Sequence, residues 1–85
     1  MIFKIYSIRD SVAGSFLTPT VDQSDSTAIR NFSLACDSGK RDSSLLAFRP
    51  ADFSLYCLAE FDSESGLISP FSPIQLVVSG DSVSK

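Results

Sequence analysis

The clearest pattern in the chain is a run of alternating apolar residues near its centre. The apolar residues on alternate positions are Phe53, Leu55, Cys57, Ala59 and Phe61. Successive side chains of a β-strand point to opposite faces, so this spacing predicts a strand with one apolar face. Tyr56 and Leu58 add apolar character to its second face. The polar residues 62–66 end in Gly66 and predict a hairpin loop before Leu67 and Ile68.

A second strand is predicted at the amino terminus, over residues 2–8. One face of this strand carries Phe3 and Ile5. The other face carries Ile2, Lys4, Tyr6 and Ile8. Apolar residues on both faces indicate a central strand, or an interface on the second face. Residues 10–14 predict a turn in which Gly14 can adopt a positive φ. A short strand over 15–17 follows, and Pro19 ends it or confines it to a sheet edge.

A helix is predicted over residues 24–38. The polar residues 20–25 make a suitable helix entry, because Asp22, Ser24 and Asp25 are all competent N-caps. Apolar residues then recur at the spacing of one helical face, namely Ala28, Ile29, Phe32, Ala35 and Cys36. Gly39 has the residue type that commonly follows the last helical turn.

The remaining segments predict loops and one more strand. Residues 39–49 read as a loop, with Leu45, Leu46 and Phe48 folded beneath it. Pro70 and Pro73 interrupt the pattern after Ile68, so Phe71 is predicted to anchor a loop. Residues 74–78 predict a possible edge strand, and residues 79–85 a flexible tail.

The predicted order of elements is β-β-α-β-β, with a possible fifth strand. This order indicates the α+β class: a small antiparallel sheet of four or five strands with one helix packed on one face. Eighty-five residues suffice for one domain. We therefore expect a single domain over residues 1–78, followed by the tail.

Composition narrows the class of protein. Hydrophobic residues make up 44%, which argues against disorder. The net charge of −3 argues against a strongly basic nucleic-acid-binding protein, although a local basic patch can oppose the net charge. Cys36 and Cys57 form no metal-binding pair, and the chain has no His; they are expected to be two buried thiols, with a disulfide as the alternative. The amino terminus resembles neither a signal peptide nor a membrane span, so a cytoplasmic location and no membrane contact are expected.

Catalysis is not expected. The chain lacks His, the commonest general base, and its four glycines form no phosphate-binding loop. Four carboxylates near the predicted hairpin could be considered as an acid pair or a cation site; these are Asp52, Glu60, Asp62 and Glu64. A solvated strand end and loop is the preferred explanation of these four carboxylates. We expect no enzyme, no cofactor and no metal.

Aromatic and basic residues leave one binding hypothesis open. Lys4 and Tyr6 share a strand face, and Tyr56 lies on the central strand. Aromatic rings on a sheet flanked by cations bind single-stranded nucleic acid through stacking and phosphate contacts. Packing of the tyrosines at a sheet edge or dimer contact is the alternative.

Several short motifs, in order and with consistent spacing, resemble one known family. The matching residues are Tyr6, Ser7, Ile8, Asp10, Ala13, Phe16 and Pro19, then Ala28, Arg30 and Phe32, then Pro50, Asp52, Phe53, Leu55, Leu58, Glu60, Phe61, Asp62 and Gly66. Across residues 6–68 the chain resembles the small non-structural protein of gokushoviruses, which are single-stranded DNA bacteriophages of the Microviridae. Ala59 stands where that family is expected to have Gly.

The resemblance implies a non-structural phage protein, absent from the mature virion and located in the cytoplasm of the bacterial host. It also implies an association with DNA binding, or with the passage from genome replication to packaging. It transfers no active site.

Two functional hypotheses follow. The first is an accessory protein that binds single-stranded DNA or the replication complex, with the candidate nucleic-acid-binding residues Lys4, Tyr6, Arg9 and Arg30. The second is a protein-binding regulator or homo-oligomeric module that acts on replication or capsid-precursor proteins without contacting nucleic acid. A homodimer is expected because the apolar strand faces exceed what one helix covers. The candidate interface residues are Ile2, Ile8, Tyr56 and Leu58.

Overall fold

Strand β1 (Ile2–Asp10) is the centre of the sheet, because it pairs along both of its edges. In this computed structural model, which describes residues 1–36 and 49–83, the sheet has five antiparallel strands. The other strands are β2 (Ser15–Phe16), β3 (Thr20–Asp22), β4 (Phe53–Asp62) and β5 (Ile68–Ser79). One edge of β1 pairs with β4, which in turn pairs with β5, and the other edge pairs with both β2 and β3. The predicted α+β sheet with one packed helix is confirmed.

Strand β3 differs from the prediction, which assigns residues 20–25 to a polar helix entry. Thr20, Val21 and Asp22 instead pair with Tyr6, Ile5 and Lys4. After Pro19 the chain continues antiparallel along the free part of β1, where its backbone groups find partners. Backbone hydrogen bonding to β1 therefore decides that residues 20–22 form a strand, whereas the polarity of their side chains does not.

Helix α1 (Asp25–Cys36) packs on one face of the sheet, which we call the helix face. Its start agrees with the prediction, since the Ser24 side chain accepts a hydrogen bond from the Thr27 amide at 3.4 Å. Ala28, Phe32 and Cys36 are buried, as their spacing predicts. The predicted helix end at Gly39 and the loop residues Leu45, Leu46 and Phe48 lie outside the described residues. No helix within residues 1–36 and 49–83 is long and apolar enough to cross a membrane.

Strand β5 is longer than predicted. It runs without a break through Pro70, Phe71 and Pro73, where the sequence predicts a loop. β5 is the end strand in the order β2-β1-β4-β5, where prolines are tolerated, and its pairing with β4 is irregular over residues 71–74, between the partners of Cys57 and Ala59. Phe71 is partly buried and packs against the core.

The core lies between α1 and the helix face. The buried cluster comprises Tyr6, Ala28, Phe32, Cys36, Phe53, Leu55 and Cys57. Cys36 and Cys57 are both free thiols, in agreement with the sequence-based expectation. Burial raises the pKa of both thiols.

A β-bulge at Leu58 changes the alternation of β4. Ile5 pairs with Ala59 and Tyr6 pairs with Cys57, so Leu58 is an extra residue on β4. One extra residue reverses the face that later side chains point to. Phe61 therefore leaves the face of Phe53 and pairs with Phe3 on the opposite side of the sheet. Ala59 lies beyond the bulge as well and pairs with Ile5, so the prediction that all five alternating residues share one face is wrong at Ala59 and Phe61.

The turns and the carboxyl-terminal segment complete the fold. Gly14 and Gly66 adopt φ values of 73° and 77°, as expected of glycines in these two turns. A 3₁₀-helix (Pro50–Asp52) precedes β4, and a helical turn, α2 (Gly80–Val83), follows β5. Over Gly80–Val83 this turn takes the place of the tail predicted from the sequence, because Gly80 is buried against Pro50. The flexibility predicted for residues 79–85 stays a prediction.

Candidate functional site

The sheet face opposite α1 carries a broad apolar surface, which we call the open face. Its residues follow from the strand register and the ring contacts: Phe3, Ile5, Arg9, Phe16, Val21, Tyr56, Phe61, Ile68 and Leu76. No other described element covers this face. Phe16, Val21, Ile68 and Leu76 have 41%, 54%, 59% and 58% of their surface exposed. Large exposed apolar patches mark binding surfaces in soluble proteins.

Aromatic rings form two pairs on the open face. The rings of Phe16 and Tyr56 meet edge to face, with centroids 5.8 Å apart and an interplanar angle of 75°. The rings of Phe3 and Phe61 are 6.5 Å apart and tilted by 41°. Both arrangements are favourable for aromatic pairs. They place ring surfaces on β1, β2 and β4, across the width of the sheet.

Arg9 adds a cation to the first ring pair. Its guanidinium carbon lies 5.9 Å from the centroid of the Phe16 ring, which is within cation–π range. The ion pairs found among the described residues involve Lys4, Arg49 and the amino terminus, and none involves Arg9. The guanidinium is therefore available to an anion bound over the ring pair.

The charge of the open face differs in sign from that of the whole chain. The strand register places Lys4, Asp22 and Glu60 on the helix face, since Lys4 pairs with both acids and its ammonium group lies 3.6 Å from the Asp25 carboxylate. Asp10 accepts hydrogen bonds from the amides of its own turn. Among the described strand residues, Arg9 is the one ionisable group other than Tyr56 that the register and contacts place on the open face.

The four candidate nucleic-acid-binding residues do not come together. Lys4 lies on the helix face, Arg30 is exposed on α1, and Arg9 lies on the open face. Tyr6 is fully buried, and its hydroxyl donates a hydrogen bond to Asp25. Burial, followed by the Asp25 carboxylate, raises the pKa of Tyr6. A buried ring offers no surface to a base, so within this fold Tyr6 can serve only the core.

The four candidate dimer residues also lie apart. Ile8 packs against the core on the helix face, while Tyr56 lies on the open face. Ile2 is exposed near the amino terminus, and Leu58 forms the bulge. The structure thus distributes the four candidate residues over both faces and one end of the sheet, and does not bring them together.

Phe3, Phe16 and Phe61 are functional candidates that the sequence analysis did not identify as such. The sequence pattern assigns Phe61 and Phe3 to apolar faces of two predicted strands, and Phe16 to the short strand over residues 15–17. The alternation of β1 does place Phe3 away from Tyr6. The bulge that brings Phe61 beside Phe3 has no marker in the sequence.

The acidic hairpin loop is occupied by local contacts. The Asp62 carboxylate accepts a hydrogen bond from the Glu64 amide at 2.9 Å, and this bond helps to lower the pKa of Asp62. The amino-terminal ammonium group lies 3.5 Å from Glu64 and 4.0 Å from Asp62. Within the described residues, no group of three or more potential ligand side chains is arranged to hold a metal ion.

A cavity of about 250 Å³ lies between α1 and the strands β1 and β3. Its walls include the apolar residues Ile8, Phe32 and Leu55, and its polar lining includes Thr20 and Asn31. The lining also includes the Asp22 carboxylate and the hydroxyl groups of Tyr6 and Ser7, which donate hydrogen bonds to Asp25 and to the Leu17 carbonyl oxygen.

Comparison with known proteins identifies the family. A family model described as "Phage ORF5 protein" matches residues 3–83, which is nearly the whole chain. The chain belongs to the Phage ORF5 protein family. The phage origin implied by the sequence motifs is thereby confirmed. No curated protein and no solved structure matches the chain significantly. The span of this Phage ORF5 protein that matches the family includes every residue of the open face.

Proposed function

We propose that this phage protein is a non-enzymatic accessory protein that binds single-stranded DNA through its open face. The observation that carries the proposal is the ring pair of Phe16 and Tyr56 with the Arg9 guanidinium beside it. Aromatic rings on a sheet bind single strands because every base has a π-face that can stack. Arg9 supplies the contact to a phosphate.

The proposal is consistent with the acidic net charge. Strand pairing directs Asp22 and Glu60 to the helix face, so these carboxylates are separated by the sheet from DNA on the open face. The electrostatic attraction between the open face and DNA is nevertheless small, because a single cation, Arg9, contributes one phosphate contact. Stacking would then supply most of the affinity, and sequence preference would be weak.

The resemblance to gokushovirus non-structural proteins supports the finer part of the proposal. On the basis of this resemblance we propose that the protein acts in the cytoplasm of the bacterial host, during genome replication or packaging, and is absent from the mature virion. Mass spectrometry of purified virions and of infected cells tests this location. Recovery of the protein from infected cells but not from virions is expected, and a stoichiometric amount in virions would contradict it.

The decisive experiment is a titration of the pure protein with a single-stranded oligonucleotide at several salt concentrations. One phosphate contact predicts a slope of about −0.7 for log affinity against log salt. Arg9→Gln is expected to reduce this slope towards zero. Arg30→Gln is the matched control, since Arg30 is exposed on α1, and it is expected to leave the slope unchanged.

Stacking is tested separately with Phe16→Ala. Loss of this ring is expected to cost ~1–3 kcal/mol of binding free energy with little change in the salt slope. The melting temperature of the Phe16→Ala variant is measured alongside, as a check that the variant is folded. The fold should persist, because Phe16 is partly exposed. No affinity of the folded wild type at low salt would overturn the DNA proposal.

A second candidate function is a protein-binding regulator that contacts replication or capsid-precursor proteins. The specific observation in its favour is the exposed aliphatic surface of Val21, Ile68 and Leu76 on the same face, which base stacking does not require. Co-purification from infected cells before and after nuclease treatment separates the two candidates. Partners that persist after nuclease support the second, and partners that are lost support the first.

A further inference from the structure

The outer edge of β5 has no pairing partner among the described residues. β5 is the last strand in the order β2-β1-β4-β5, and it spans twelve residues. An exposed strand edge presents amide and carbonyl groups that can pair with another chain. Proteins usually protect such edges with charged side chains, prolines or irregular pairing.

The first half of β5 has two of these protections. Pro70 and Pro73 lack amide donors, and the pairing with β4 is irregular between Cys57 and Ala59. The second half, residues 74–79, has neither a proline nor a charged residue, and from Gln75 onwards its pairing with β4 is irregular only at Val77, an extra residue between Leu76 and Val78. The whole segment from Leu67 to Gly80 is uncharged in a chain of net charge −3.

We propose that residues 74–79 of β5 pair antiparallel with the same residues of a second copy of this chain. An uncharged segment can approach its own copy without repulsion, which is the requirement of a two-fold contact. Gln75 and Leu76 are both exposed at this edge. The register places Gln75 opposite Cys57 and Leu76 opposite Tyr56, so the two side chains lie on opposite faces of the sheet.

Assembly through this edge stops at two copies. The opposite edge of the sheet is made of β2 and β3, which have two and three residues, so it offers no comparably long strand. The two sheets would become one, and both open faces would remain accessible. The inference does not depend on the DNA proposal, because a homodimer forms or fails to form in the absence of nucleic acid.

The experiment measures dimerisation by sedimentation and amide hydrogen exchange of the wild type at low and high protein concentration. A dimer is expected, together with stronger protection of the amides of residues 74–79 at high concentration. A monomer at high concentration, or a dimer in which these amides gain no protection, would overturn the proposal.

Three lysine substitutions locate the contact. Gln75→Lys and Leu76→Lys lie in the half of the edge that has no proline and no charge, and are each expected to weaken dimerisation ~10-fold or more. Ile68→Lys is the matched control, since Ile68 is as exposed as Leu76 and lies in the same strand before Pro70. It is expected to leave the dimer intact. Equal weakening by Ile68→Lys and Leu76→Lys, with no effect of Gln75→Lys, would place the contact on the open face and overturn edge pairing.

Discussion

At the scale of single residues, Tyr6 shows how burial changes the role of an aromatic side chain. Its ring is fully buried between β1 and α1, and its hydroxyl donates to the Asp25 carboxylate. The Lys4 ammonium group lies 3.6 Å from the same carboxylate. Asp25 is the first residue of α1. These three side chains therefore attach the start of the helix to the central strand.

The raised pKa of Tyr6 makes the fold sensitive to alkali. In the unfolded chain Tyr6 ionises near pH 10, whereas burial keeps it neutral in the folded protein well above that pH. The unfolded state therefore loses protons first, and the stability contributed by neutral Tyr6 is complete below pH ~10 and lost as pH rises above it. Cys36 and Cys57 also lower the stability of the fold as pH rises, because burial raises the pKa of their thiols.

Tyrosinate absorbance isolates the contribution of Tyr6. In a Tyr56→Phe variant, Tyr6 is the one remaining tyrosine. Its ionisation is expected to coincide with loss of the circular dichroism signal of the folded protein during an alkaline titration. Ionisation near pH 10 with the folded signal intact would contradict the buried position of Tyr6.

At the scale of elements, helix α1 is held by one stripe of side chains. Ala28, Phe32 and Cys36 are buried against β1 and β4, while Leu34 on the same helix is 46% exposed. Phe32 belongs to the same buried cluster as Phe53 on β4. Phe61 is separated from this cluster by the bulge in β4.

Phe32→Ala is expected to destabilise the protein strongly. Truncation of a buried Phe costs ~3–5 kcal/mol through lost apolar contacts and the cavity that remains. A small domain has little more than this in total, so much of the variant should be unfolded. Leu34→Ala is the control on the same helix and should change the free energy of unfolding by less than ~0.5 kcal/mol. Urea denaturation followed by circular dichroism measures both, and equal effects would mean that the buried helix face is misassigned.

At the scale of the whole molecule, the carboxyl-terminal turn α2 packs against the entry to β4. An added Cβ at Gly80 would overlap the Pro50 carbonyl oxygen and lie 3.0 Å from that of Phe53. Both contacts are with backbone atoms, which cannot rotate away as a flexible side chain would. The absence of a side chain at residue 80 thus allows two distant parts of the chain to meet.

Gly80→Ala is expected to separate these two segments. The methyl group cannot be accommodated without movement of the backbone, so we expect a loss of ~1–3 kcal/mol of stability. Ser82→Ala, an exposed position in the same turn, is the control and should have little effect. Thermal unfolding compares the two variants, and a wild-type melting temperature for Gly80→Ala would show that α2 does not pack on Pro50.

The sequence by itself determined the local elements of this protein. Alternation predicted β1 and β4, and helical spacing predicted α1 with its buried residues Ala28 and Phe32. Glycines marked the two turns at Gly14 and Gly66. These predictions succeeded because each depends on neighbouring residues and on whether one face is apolar.

Tertiary structure alone decided which residues form the candidate site. The bulge at Leu58 moves Phe61 to the open face, backbone pairing makes a strand of Thr20–Asp22, and the position of β5 at the sheet end tolerates Pro70 and Pro73. The packing of α1 buries Tyr6, whereas Phe16 and Tyr56 remain uncovered. Each outcome depends on strand register and on contacts between segments distant in the chain. Local residue patterns do not contain that information, because a one-residue shift in pairing reverses the face of every side chain that follows.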